Sequence, residues 1–86
     1  MIEIVFKIKE NRSIAYDNDK EIGECTFVKN DNTWNIVHTG VDNSYQGQGI
    51  AKKLVNCIIE NAKKENKNLV ADCSYAKIVL ERNKEK

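Results

Sequence analysis

Proline is missing from all 86 residues, and no apolar run exceeds four. With 41% hydrophobic and 31% charged residues besides, the composition argues against disorder and low complexity, and no stretch reads as a linker. The lack of a long apolar run leaves no candidate signal peptide or transmembrane span, since Met1-Ile2-Glu3-Ile4 already opens a polar-interrupted alternation. An excess of either charge is missing too. Fourteen Lys+Arg against thirteen Asp+Glu leave +1, too balanced to predict a nucleic-acid binder or a polybasic membrane segment.

Paired cysteine motifs are also lacking. Cys25, Cys57 and Cys73 are odd in number and contain no C-x-x-C, so they read as free thiols in a reducing cytoplasm, where the protein is expected to stay. A zinc site built from them and His38 would need ligands from four separated elements, so no metal is expected. A chain of this length is expected to form one domain, 1–86, that buries roughly 60–65% of the surface its unfolded form exposes.

What is present is pattern. Ile2, Ile4, Phe6 and Ile8 alternate with Glu3, Val5, Lys7 and Lys9, a period of two that predicts a strand with one buried face. Ser13 to Tyr16 predicts a second short strand or an extension of the first past a bulge, and Glu21 to Val28 and Thr33 to Val41 predict further strands, separated by turns at Asn11-Arg12, Asp17 to Lys20 and Lys29 to Asn32. The inward set of Glu21 to Val28 is mixed. Trp34, Phe6 and Phe27 are expected in the core. From Gln48 to about Glu65, Ile50, Leu54, Ile58 and Ala62 recur every four residues, the stripe of an amphipathic helix. Leu69 to Cys73 suits a short buried strand, parallel to the one ending at Val41 if the two are neighbours. Ser74 suits the N-cap of a closing helix through Ile78, Val79 and Leu80, followed by a charged, frayed tail from Glu81 to Lys86. The class is α+β: an antiparallel meander, a strand-helix-strand unit and a C-terminal helix.

The strand ending at Val41 leads through Gln46-Gly47-Gln48-Gly49-Ile50-Ala51 into the long helix. A glycine turn before a helix makes an anion site, because the first N–H groups of the helix have no partner and its dipole is positive there. Two phosphate motifs fail here. No glycine pair has the P-loop spacing before Lys-Ser or Lys-Thr, and the dinucleotide pattern starting at Gly47 meets Lys52 where its third glycine belongs.

Q-x-x-G-x-A at Gln46, Gly49 and Ala51 does resemble the Q/R-x-x-G-x-G/A pyrophosphate loop of the Gcn5-related N-acetyltransferase superfamily. Together with His38-Thr39-Gly40-Val41 before it and Cys73-Ser74-Tyr75-Ala76 after the next strand, the set is similar to a minimal acetyltransferase-like subgroup related to the YjdJ proteins, over roughly Ser13 to Leu80. The resemblance implies a twisted mixed sheet of the acyl-CoA N-acyltransferase type, with acetyl-CoA lying between the strands ending at Val41 and Cys73. It implies that Thr39, Gly40 and Val41 pair with the pantetheine arm and that Gln46, Gly47, Gln48, Gly49, Ile50 and Ala51 hold the pyrophosphate. Lys52, Lys53 and Ser74 join the cofactor-binding positions. The expected partners are acetyl-CoA and an amine acceptor, with the protein a monomer or weak homodimer. This chain departs from the family in having Gln46 where many members have Arg, Gly40 where an acidic residue is frequent, and Asn83 to Lys86 where a His-Pro-Glu-Tyr-like segment is frequent. It also has no room for the two helices that shape the acceptor site in larger relatives.

Two catalytic routes stay open. Cys73, at a strand end before a helix, could carry the acetyl group as a thiolate with His38 as base. Alternatively the amine attacks directly, with Tyr75 as acid and Glu24 or His38 as base. A non-catalytic acyl-CoA-binding module and a small interaction domain with an exposed sheet edge are the other readings of the same residues.

Overall fold

The computed structural model describes residues 1–84. Strands β1 (Ile2–Lys7), β2 (Arg12–Asp17), β3 (Lys20–Asn30) and β4 (Thr33–Val41) form an antiparallel meander, and β5 (Asn68–Ala71) adds to β4 in parallel, so sheet order follows chain order. Helix α1 (Ile50–Lys64) makes the crossover from β4 to β5, and α2 (Ser74–Lys84) closes the chain. The mixed α+β architecture is the one the hydrophobic periods predict.

The tight turns are built on residues that tolerate positive φ. Asn11, Asn18, Asp31 and Asn66 all lie near φ +55°, where a short polar side chain costs less than most. A single 3-10 turn, Ile8–Glu10, separates β1 from β2. Another, Asn43–Tyr45, follows β4 and is capped by Asp42, whose carboxylate accepts from the Ser44 N–H at 2.9 Å.

One face of the sheet is covered by α1. Ile50, Leu54, Val55, Ile58, Ile59 and Ala62 are buried there, each large side chain contributing roughly 1.5–3 kcal/mol by leaving water. Beneath them Phe6, Phe27 and Trp34 stack, with the Phe27 and Trp34 centroids 4.6 Å apart. Gly23 permits the close approach of the helix, since a Cβ there would stand 3.3 Å from Leu54 Cδ1 and 3.1 Å from the Gly40 carbonyl. Buried Ser13 donates to the Leu54 carbonyl at 2.9 Å, which satisfies its hydroxyl.

Two bulges reset the inward phase. Ala15 pairs with Gly23 but Tyr16 with Glu21, which leaves Ile22 as the extra residue of β3; Thr26 pairs with His38 but Phe27 with Ile36, which leaves Val37 as the extra residue of β4. The first explains why β3 buries Ile22, Cys25 and Phe27, and hence its mixed sequence pattern.

Several expected boundaries move. The strand expected to reach Cys73 ends at Ala71, because the N–H groups of Asp72 and Cys73 both turn to the Ile36 carbonyl, at 2.9 and 3.1 Å. Helix α1 starts at Ile50 rather than Gln48, since Gly49 is left-handed at φ +76°. Ser74 is the first residue of α2 instead of its cap, as Lys77 N–H already bonds to the Cys73 carbonyl at 2.9 Å. The tail expected to fray from Glu81 is helical through Lys84, while Glu85 and Lys86 lie outside the described residues.

Candidate functional site

The site begins where two parallel strands part. β4 and β5 pair from Thr33 and Asn68 to Ile36 and Ala71, and there the ladder stops. Asn35 forces the parting: its amide donates to Asp72 Oδ2 at 2.9 Å and its oxygen accepts from the Asp72 N–H at 3.0 Å, which turns the chain out of the sheet. β4 continues to Val41 with only β3 beside it, so the backbone of Thr39 to Val41 has a side without a strand partner.

A slot of about 640 Å³ lies along that side, within the range that holds small-molecule ligands. Thr39, Gly40 and Val41 form one wall. The turn supplies Tyr45, Gln46, Gly47 and Gly49, α1 contributes Ile50 and Ala51, and Tyr75 of α2 stands opposite, 39% exposed. Gly47 and Gly49 have φ of +84° and +76°, and a Cβ on either would meet nothing within 4 Å. Backbone conformation requires these glycines, and the space around them is open.

The start of α1 has nothing to offset its dipole. No side chain caps Gly49 and no acidic residue lies in the first turn, while Lys52 and Lys53 add positive charge there. The first turn of α1, with its N–H groups, therefore forms one end of the slot, where Ile50 and Ala51 line it and the two lysines do not. Cys73, directly before α2, is not a lining residue of the slot but reaches Thr39, which is. Burial pushes its thiol up, but the Ala76 N–H, the Thr39 hydroxyl and the N–H groups of Tyr75 and Thr39 outweigh it, and the net pKa is lowered. Thr39 Oγ1 sits 3.6 Å from Cys73 Sγ and 3.4 Å from Cys25 Sγ. Cys25, by contrast, is pushed up to about 11 by burial, with the Thr39 hydroxyl opposing.

His38 is not among these groups. The bulge at Val37 sets Thr39 inward against Cys25 and His38 outward, exposed, on the far face of the sheet. Its ring stands over Gly40, where a Cβ would come within 3.0 Å of Nε2. Glu24 is also on that face, opposite Gly40, and is bound by Arg12 at 2.8 Å. Gln48, Lys52 and Ser74 are exposed and do not form the slot lining, and Lys53 faces a separate groove with Ile4, Asn56, Cys57 and Glu60. Tyr45 is the lining residue that the pattern did not single out. Its position directly before Gln46 was the only sequence signal for it. Among the described residues, no three His, Cys, Asp or Glu side chains converge as metal ligands.

A family model described as GCN5-related N-acetyl-transferase matches residues 11–86. Among solved structures, a GCN5-like protein from Staphylococcus aureus, determined by NMR in solution, is 35% identical over 96% of this chain and 81% of its own, with a TM-score of 0.73. A GNAT family acetyltransferase from Elizabethkingia anophelis with acetyl-CoA bound is 26% identical, covering 84% of this chain and 50% of that one, at a TM-score of 0.67. The PaiA N-acetyltransferase from Thermoplasma acidophilum in complex with coenzyme A shares the fold at 18% identity and a TM-score of 0.61, over 64% of this chain and 35% of that one. This chain thus spans half or less of the two longer structures. Among curated protein sequences none matches significantly.

Proposed function

The chain belongs to the GCN5-related N-acetyltransferase family, and on that premise we propose that it transfers the acetyl group of acetyl-CoA to an amine, with the cofactor in the slot between the end of β4 and the start of α2. The observation that carries this reading is the slot itself: the unpaired edge of Thr39 to Val41 and the uncapped start of α1 line the same cavity. The edge offers backbone N–H and C=O groups to an amide-bearing arm. Glycines at positive φ leave room for phosphate beside the first N–H groups of α1, where Lys52 adds charge.

Acetyl-CoA supplies an activated thioester; attack by a neutral amine forms the C–N bond, breaks the C–S bond and leaves one proton to remove and one thiolate to protonate. In this reading Tyr75, on the slot wall, protonates the leaving sulfur. On the open face His38 and Glu24 flank Gly40 and are the candidate bases, with Glu24 constrained by Arg12. A second reading is favoured by the lowered Cys73 thiol: its thiolate accepts the acetyl group and then yields it to the amine. That route draws its thiolate from N–H donors and the Thr39 hydroxyl rather than from His38. The connections β1–β2 and β2–β3 are too short to hold acceptor-shaping helices, which favours binding without turnover as the alternative. Three free thiols suit a reducing cytoplasm as the place of action.

Titration with CoA and acetyl-CoA, followed by backbone amide shifts, tests the slot. Shifts are expected at Thr39 to Val41 and Gly47 to Lys53, and unchanged resonances there at millimolar ligand would sink the reading. Release of free CoA with any of a panel of simple amines, polyamines and lysine peptides then separates the enzyme from the binding module.

A further inference from the structure

β1 is the outer strand of the sheet, and no strand of the described chain lies beyond it. Such edges are templates for another chain, and proteins commonly blunt them with proline, a bulge, an inward charge or charged side chains along the edge. β1 has no proline, bulge or inward charge, and its two charges, Glu3 and Lys7, are of opposite sign. It pairs with β2 over six residues in unbroken register, whereas the next two ladders are each interrupted by a bulge. Ile2, Ile4 and Phe6 pack on the core yet stay only partly buried, so the core is open along this edge.

The strand is complementary to itself. In a sheet that continues across two copies, facing side chains must share a face, so an antiparallel β1–β1 ladder must be centred on a residue of β1. Centring on Val5 sets Glu3 against Lys7 of the second copy, twice by symmetry, and Ile4 against Phe6 on the core face. Centring on Ile4 sets Glu3 against Val5, and centring on Phe6 sets Val5 against Lys7. Val5 alone joins opposite charges. Lys7 is lightly held within its own chain, 3.8 Å from Glu10 with both side chains exposed.

The neighbouring groove repeats the pattern. It is lined by Ile4 together with Lys53, Asn56, Cys57 and Glu60 of α1. Lys53 and Glu60 stand symmetrically about Asn56 and Cys57, so a two-fold axis at this edge, which runs α1 antiparallel to its copy, turns each Lys53 toward the other Glu60.

We propose that β1 is the contact surface for a second copy of this chain, the two sheets joining antiparallel about Val5 into one continuous sheet. The contact is isologous and closes on itself. β1 supplies no residue to the slot, whose strand wall is β4, three places along the sheet, so the contact leaves the slot lining free.

Sedimentation velocity from micromolar to millimolar protein at low salt reads the association. Glu3→Lys sets Lys against Lys at both symmetric positions and Lys7→Glu sets Glu against Glu, so each variant alone associates about tenfold more weakly or worse. Mixed in equal amounts, the two variants restore opposite charges at both positions and associate with each other as wild type does with itself. Amide spectra of each variant establish that it is folded. A wild type that stays monomeric throughout, single variants that associate like wild type, or a mixture no better than its components overturns the proposal.

Discussion

The Tyr45 hydroxyl donates to Asp17 Oδ2 across 2.5 Å, so a residue that lines the slot is held by the end of β2. That bond, ahead of one from the N-terminal amine, keeps the Asp17 carboxyl below its usual range, and the same bond pushes the Tyr45 phenol up. A depressed carboxyl contributes stability fully above its unfolded value of about 3.9 and loses it as pH falls through the lowered folded value. Tyr45→Phe is therefore expected to raise the Asp17 pKa toward the ordinary range, read by carboxyl NMR titration. It should also weaken CoA binding by loosening the turn, read by calorimetry.

Gly49 tests backbone and slot separately. Gly49→Ala forces an L side chain to φ +76° and is expected to cost about 1–2 kcal/mol in urea unfolding while leaving the space open. Gly49→Trp fills the slot and is expected to abolish the amide shifts caused by CoA.

Thiol reactivity should sort the cysteines. Iodoacetamide labelling followed by mass spectrometry is expected to modify Cys73 first and Cys25 last, because N–H groups and the Thr39 hydroxyl favour the Cys73 thiolate while burial disfavours that of Cys25. Thr39→Val should move the Cys73 labelling profile to higher pH. His38→Ala should leave it unmoved, since His38 is on the other face. An acetyl adduct after mixing with acetyl-CoA that vanishes in Cys73→Ala supports the cysteine route, and full turnover by Cys73→Ala excludes it.

The core predicts its own ranking under urea. Trp34→Ala removes a buried ring that stacks with both Phe6 and Phe27 and is expected to cost about 3–5 kcal/mol. Ser13→Ala removes one buried donor whose acceptor keeps its helical partner, at about 1 kcal/mol. Val28→Thr, on the exposed face, should change stability by less than about 0.5 kcal/mol.

The sequence by itself determined the elements, because each is a local property. Alternation at Ile2, Ile4 and Phe6 requires a strand, a four-residue recurrence from Ile50 to Ala62 requires a helix, and Asn and Asp at the tight turns accept positive φ. Gln46 to Ala51 was legible for the same reason: a glycine turn before a helix start has its chemistry in the backbone. Only the tertiary structure decided which side chains meet. The extra residue Val37 reverses the phase of β4, which parts His38 from Cys73 and delivers Thr39 to it. The clamp of Asn35 on Asp72 ends β5 early and opens the slot, and the reach of Asp17 to Tyr45 joins residues 28 apart in sequence. Bulges and long-range hydrogen bonds arise from how whole strands fit each other, and no window of sequence contains both partners.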